Sequence, residues 1–274
     1  MIYLITAVLL SVFIANVLKY SSQKKTDVIV IFFGNYLFAA IFSWFLISPE
    51  EKTILIKLPE LITGLATGVF FLVNFFLYMH NIKLNGMSIS VSVMRISVVI
   101  PVVFSILLFG EKIDLLKVSG IIIILLSFYL SGKKDGVNAI KWILILFVCT
   151  GLTDTCLKFY NFYYGDNISL FLFYVFSWAC LVNLGIIIFK NRKIDFKSLF
   201  FGIFLGIPNQ LTSLYFMKAL EVEKAVIVYP VFASSVVIFS VLSDIIFWKT
   251  KYSLIQKMYF AVMIIGIVLL NIKI

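Results

Sequence analysis

Asn85-Gly-Met-Ser-Ile-Ser-Val-Ser-Val-Met-Arg95-Ile-Ser-Val-Val-Ile-Pro101-Val-Val-Phe-Ser-Ile-Leu-Leu-Phe-Gly-Glu111-Lys112 is long and apolar enough to cross a bilayer. It also holds an arginine and a proline near its middle, and it closes on Gly-Glu-Lys. An arginine at that depth costs roughly 2.5–3.5 kcal/mol on insertion scales, and more when nothing lets it reach water. Arg95 therefore belongs on the inside of a helical bundle, facing a watery cavity. The rest of the chain is expected to supply the walls.

Composition agrees with that setting. The 274 residues are 62% apolar and only 13% charged, against about 45–50% and about 25% in soluble domains. That excludes an ordinary soluble enzyme and predicts an all-α polytopic membrane protein. The formal charge of +10 is mostly lysine in loops, where it reports topology and anionic headgroups; no nucleic-acid partner is implied. Cys149, Cys156 and Cys180 are odd in number, lie in apolar stretches and form no Cys-x-x-Cys, so they read as small apolar filler, with no disulfide framework or metal site. The N-terminal stretch has no basic leader before its apolar run and is expected to be a retained first helix.

Polar joints divide the sequence into ten candidate spans: 2–19, 28–47, 61–80, 87–109, 115–131, 141–159, 168–189, 198–217, 224–247 and 254–271. Among the joints are His80-Asn81-Ile82-Lys83 and Gly110-Glu111-Lys112. No loop is long enough for a soluble domain. Sliding the chain on itself by 138–139 residues superposes Leu18-Lys19 on Leu157-Lys158, Gly64-x-x-x-Gly68 on Gly202-x-x-x-Gly206, Asn74 on Thr212 and Met79 on Met217. Residues 1–136 and 137–274 are then two repeats of five helices each. An odd number per repeat inverts the second relative to the first. Such repeats enclose a site near the bilayer midplane in alternating-access transporters.

With two five-helix halves, the segment from Pro101 to Glu111 and Gly120, and a weaker second copy at Tyr229-Pro230-Val-Phe-Ala-Ser-Ser with Gly266, the chain resembles the EamA-like ten-helix members of the drug/metabolite transporter superfamily. The resemblance implies a secondary transporter with both termini in the cytoplasm. The lysine and arginine count, higher on the face of the first-to-second-span loop, favours the opposite orientation. Where a second glutamate would match Glu111, this chain has Lys249-Thr250.

The candidate substrate-binding residues are Arg95, Ser92, Asn74, Tyr78, Asn209, Gln210, Ser213 and Tyr229. Ser88, Ser92, Arg95 and Val99 share one helical face, and a guanidinium beside hydroxyls suits a carboxylate or phosphate. Arg95 has two further options, pairing with Asp154 or snorkelling to an interface. Asp154 is the candidate for proton coupling or ion pairing. Asp244, nearer a helix end, reads as a solvated carboxylate, and Glu111 as a helix cap. Pro101, Pro208 and Pro230 are candidate hinges. Asn16, Asn35 and Asn183 are expected to bond across helices, and His80 to sit at an interface.

The reading is a transporter exporting a small polar, amino-acid-like or other metabolite, with no cofactor and no metal. Its expected partners are the substrate and the bilayer of the cytoplasmic membrane, with a monomer or weak dimer as the assembly. No Gly-x-x-x-x-Gly-Lys-Ser/Thr occurs, so the chain has no ATPase motif. An intramembrane enzyme on a lipid-linked substrate would need clustered acids, histidines or a metal site. A non-transporting membrane subunit or a channel is the third option; a channel would be expected to use rings of like residues in an oligomer.

Overall fold

A computed structural model describes residues 2–49, 58–101, 103–104, 118–120, 122–123, 136–164, 167–222 and 225–271, with backbone alone at 136–139, 161, 220–221, 225–230, 267 and 270–271. The elements are helices throughout. In chain order they are α1 Ile2–Ser22, α2 Val28–Leu46, α3 Leu58–Asn85, α4 Met87–Ile96 and α5 Gly136–Tyr164, then α6 Ile168–Phe189, α7 Phe196–Val222, α8 Ala225–Ile246 and α9 Leu254–Asn271. Six of these, α1, α2, α3, α5, α6 and α7, carry stretches long and apolar enough to cross a membrane. The fifth candidate span, 115–131, lies almost wholly outside the described residues, as does Glu111.

Helix starts follow local chemistry. Asp27 caps α2 by accepting the Ile29 N–H at 2.9 Å. Asp195 caps α7 by accepting the Ser198 N–H at 2.8 Å, and that hydrogen bond holds its carboxyl below the usual carboxylate range. Ahead of α9, Ser253 and Gln256 exchange bonds, Ser253 N–H to Gln256 Oε1 at 3.0 Å and Gln256 N–H to Ser253 Oγ at 3.3 Å. That is a capping box.

One expected loop is helix instead. His80-Asn81-Ile82-Lys83 continues α3, whose end is the positive-φ Gly86 at 84°. Asn81 makes this possible: its Nδ2 donates to the Leu77 carbonyl at 2.9 Å and to the Trp142 carbonyl of α5 at 3.1 Å, and its Oδ1 accepts from Asn85 at 3.0 Å. The polar side chain is satisfied inside the bundle, so the helix has no reason to stop. His80 is exposed, its ring edge-on to Trp142 at 4.4 Å.

The fourth span is also shorter as regular helix than expected. It breaks at Ser97–Val98 and resumes at 99–101. Pro101 has no N–H to give the Ser97 carbonyl, which accepts instead from Ile100 N–H at 2.9 Å. The Ser97 hydroxyl turns back to the Met94 carbonyl at 2.6 Å. Pro208 sits inside α7 without interrupting it, and Pro230 lies in α8 with its side chain outside the described set.

The two Gly-x-x-x-Gly motifs bring helix backbones to close contact. A Cβ at Gly64 would lie 2.6 Å from the Tyr174 Cβ, and Gly68 faces Val175 and Ala179, so α3 runs parallel to α6 at close range. A Cβ at Gly206 would meet the Asn35 carbonyl at 2.7 Å, and Gly34 returns the approach against the Leu199 carbonyl at 2.8 Å, so α7 runs parallel to α2. The sequence offset that superposes Gly64-x-x-x-Gly68 on Gly202-x-x-x-Gly206 also brings α2 onto the region of α6. Asn183 Nδ2 donates to the Ile29 carbonyl at 3.0 Å and Asn209 Nδ2 to Asn35 Oδ1 at 3.3 Å, binding α2 to α6 and α7. The outer surface is apolar, with Phe189 at 88% and Phe196 at 81% exposure, as a lipid-facing wall requires. Cys149, Cys156 and Cys180 are all free thiols.

Replacing Gly206 with alanine should lower the melting temperature in detergent, a cost of about 1–3 kcal/mol from overpacking. Gly185→Ala, with nothing within 4 Å of the new Cβ, should leave it unchanged. A thermal-denaturation comparison of the two variants checks this.

Candidate functional site: a polar cavity around Arg95

The bundle encloses a cavity of about 210 Å³ whose walls come from α1, α3, α4, α5, α6, α7 and α8. Arg95 reaches it from the last turn of α4. Its Nη2 donates to Ser11 Oγ of α1 at 2.7 Å, and its Cζ lies 4.5 Å from the Phe232 ring centroid on α8. Ring and hydroxyl hold the guanidinium plane from two sides. The Nε, although buried, has no hydrogen-bond partner. A buried N–H left unpaired on a cation costs free energy, so this nitrogen is a point at which an added acceptor would be stabilised.

Asp154 of α5 lines the same cavity and is half-buried. Among the described residues no ion pair joins it to Arg95. An acidic and a basic side chain therefore line one cavity without a salt bridge between them. Nearby, Thr150 Oγ1 donates to Asn74 Oδ1 at 2.7 Å, which leaves the Asn74 amide hydrogens available to the cavity. Ser213 donates to the Asn209 carbonyl at 3.2 Å, one turn back on α7. These bonds hold polar side chains in place against an otherwise aromatic lining that includes Phe71, Phe75 and Phe216.

Arg95, Asn74, Tyr78, Asn209, Ser213 and Asp154 are thus brought together. Ser92 and Gln210 are not: both are fully buried away from the cavity wall, Ser92 beside Tyr259 of α9. The helical face holding Ser88, Ser92 and Arg95 is broad enough that its serines meet α8 and α9 while only the long arginine reaches the cavity. The Tyr229 side chain lies outside the described set. Ser11, Thr150 and Phe232 were not singled out from sequence; a lone hydroxyl or ring in an apolar span carries no pattern that marks it.

Asp244 requires a correction. It is 2% exposed, not solvated, and its Oδ1 pairs with Lys19 of α1 at 2.5 Å. The proximity of this pair, across 225 positions of sequence, leaves no local signature.

A helical bundle crossing the membrane several times around a largely apolar cavity that holds a few polar side chains is an architecture suited to a small solute. Residues 1–133 match the model of the EamA-like transporter family. A solved structure titled "Crystal structure of protein" is similar over 98% of this chain and 94% of its own, with a TM-score of 0.69 and 17% identity, a likeness of fold. No curated protein matches the sequence.

Gln210→Met removes a buried amide with both polar atoms unpartnered. Loss of an unsatisfied group is neutral or stabilising, so the melting temperature should hold or rise, and binding in the cavity should be unaffected. A denaturation curve with and without ligand reads both.

Proposed function

We propose that the chain is a secondary transporter that moves a small zwitterionic, amino-acid-like metabolite through the Arg95 cavity by alternating access. The observation that carries this is the pair of opposite charges, Arg95 and Asp154, on one cavity with no direct ion pair between them. A ligand bearing both a carboxylate and an ammonium satisfies both charges at once. The unpartnered Nε of Arg95, beside an Nη2 already fixed by Ser11, offers the carboxylate an oriented donor. Phe71, Phe75 and Phe216 give the remainder of the ligand an apolar surround.

Alternating access is supported by the matched contacts of α3 on α6 and α7 on α2, which two inverted halves, 1–136 and 137–274, would produce. Pro101 fits a hinge role, since the helix is already broken at Ser97–Val98, within a turn of Arg95. Export across the cytoplasmic membrane, with both termini inside, follows the family resemblance. The solute gradient, exchange or protonation of Asp154 would drive it.

The test is flux in proteoliposomes of purified protein, screened first by ligand-induced thermal stabilisation across amino acids and related metabolites. Saturable flux should fall at least about tenfold with Arg95→Ala, the equivalent of about 1.4 kcal/mol, and comparably with Asp154→Asn. A ligand with only an anionic group should depend on Arg95 and not on Asp154. Flux unchanged by Arg95→Ala would contradict the proposal.

A further inference from the structure

Outside the cavity, a second polar cluster is buried in the bundle. Asp244 of α8 is its centre: Oδ1 accepts Lys19 Nζ of α1, and Oδ2 accepts the Ser88 hydroxyl at 2.6 Å, the Ser88 N–H at 3.2 Å and the Tyr252 hydroxyl at 2.6 Å. Next to it, Asn16 Oδ1 of α1 accepts Ser243 Oγ and Trp248 Nε1, both at 2.8 Å. The Lys19 ammonium also lies 4.8 Å from the Trp248 ring centroid. All of these contacts with Asp244 and its neighbours link α1 and the start of α4 to α8 and the segment leading into α9.

The position of the cluster follows from helix rise, about 1.5 Å per residue. On α1 the cavity is lined by Ser11 and Ile14, and Lys19 lies beyond them toward the helix end. On α8 the lining residues are Phe232 and Ala233, and Asp244 lies three turns further on. On α4 the order reverses: Val91 lines the cavity, and Ser88 lies one turn back toward the helix start. Three helices therefore place the cluster on the same side of the cavity, the side of the α1–α2 connection.

We propose that the Lys19–Asp244–Ser88–Tyr252 cluster is the latch that closes the cavity on the α1–α2 side. This rests on the transporter reading of the Arg95 cavity. A buried ion pair adds little net stability over apolar packing, and its best-attested use is to specify one arrangement against another. Here the arrangement it specifies is α1 and α4 closed on α8. Opening that side separates Lys19 and the Ser88 N–H from Asp244 together, so the latch is released as a unit.

The test uses full-length protein with Cys149, Cys156 and Cys180 replaced by alanine, a single cysteine at Val91, and a membrane-impermeant thiol reagent applied from the α1–α2 side. Labelling should be slow with the latch intact and at least about tenfold faster with Lys19→Met plus Asp244→Asn. Tyr252→Phe removes the hydroxyl's contacts with Asp244 and Ser88 without stranding a charge, so it covers the case in which the double variant does not fold; it should give a smaller increase, about two- to fivefold. Lys19→Asp with Asp244→Lys should label more slowly than Asp244→Lys alone. Labelling unchanged by both Tyr252→Phe and the double variant would overturn the latch. Because this readout needs no substrate, it can fail while wild-type flux stands, and wild-type flux can fail while the latch stands.

Discussion

The structure depends on enclosing one guanidinium. In hydrocarbon Arg95 would be severely destabilised; in this bundle a hydroxyl of α1, a ring of α8 and a cavity shared with Asp154 surround it. Those contacts need α1, α4, α5 and α8 to converge, and convergence in turn needs close packing elsewhere. The glycines of α3 and α7 provide it, bringing α6 and α2 to backbone contact.

The interior is organised in two layers with different degrees of satisfaction. At the α1–α2 side, Asp244 is saturated by four donors from three other segments. In the cavity, Arg95 keeps an unpaired Nε, and Asp154 has no ion-pair contact with it. Saturated buried charges hold an arrangement together; unsaturated ones are where a ligand gains free energy. The contrast separates a closing contact from a binding contact within a few turns of the same helices.

Much of this was legible in the sequence, for specific reasons. The sixth helix was read to its ends, because the apolar run from Ile168 to Phe189 is bounded by Asn167 and Lys190. Arg95 was placed inward because bilayer energetics leave few other places for it. What escaped reading depended on partners remote in sequence. The run His80–Lys83 looks like a loop until the Trp142 carbonyl is seen to accept from Asn81. Asp244 looks solvated until Lys19 is brought to it. Helical periodicity grouped Ser92 with Arg95, but it cannot distinguish a residue facing α9 from one whose length carries it to the cavity.

The central claim is that water reaches Arg95 from inside the bundle, and methionine oxidation reports it directly. Met94 and Met217 line the cavity, Met79 is buried at 2% exposure, and Met258 is 51% exposed on the outer surface. In hydroxyl-radical footprinting of the protein in lipid nanodiscs, Met94 and Met217 should be oxidised well ahead of Met79 and of lipid-covered Met258. Protection of Met94 and Met217 equal to that of Met79 would mean a dry core around Arg95 and would contradict the account.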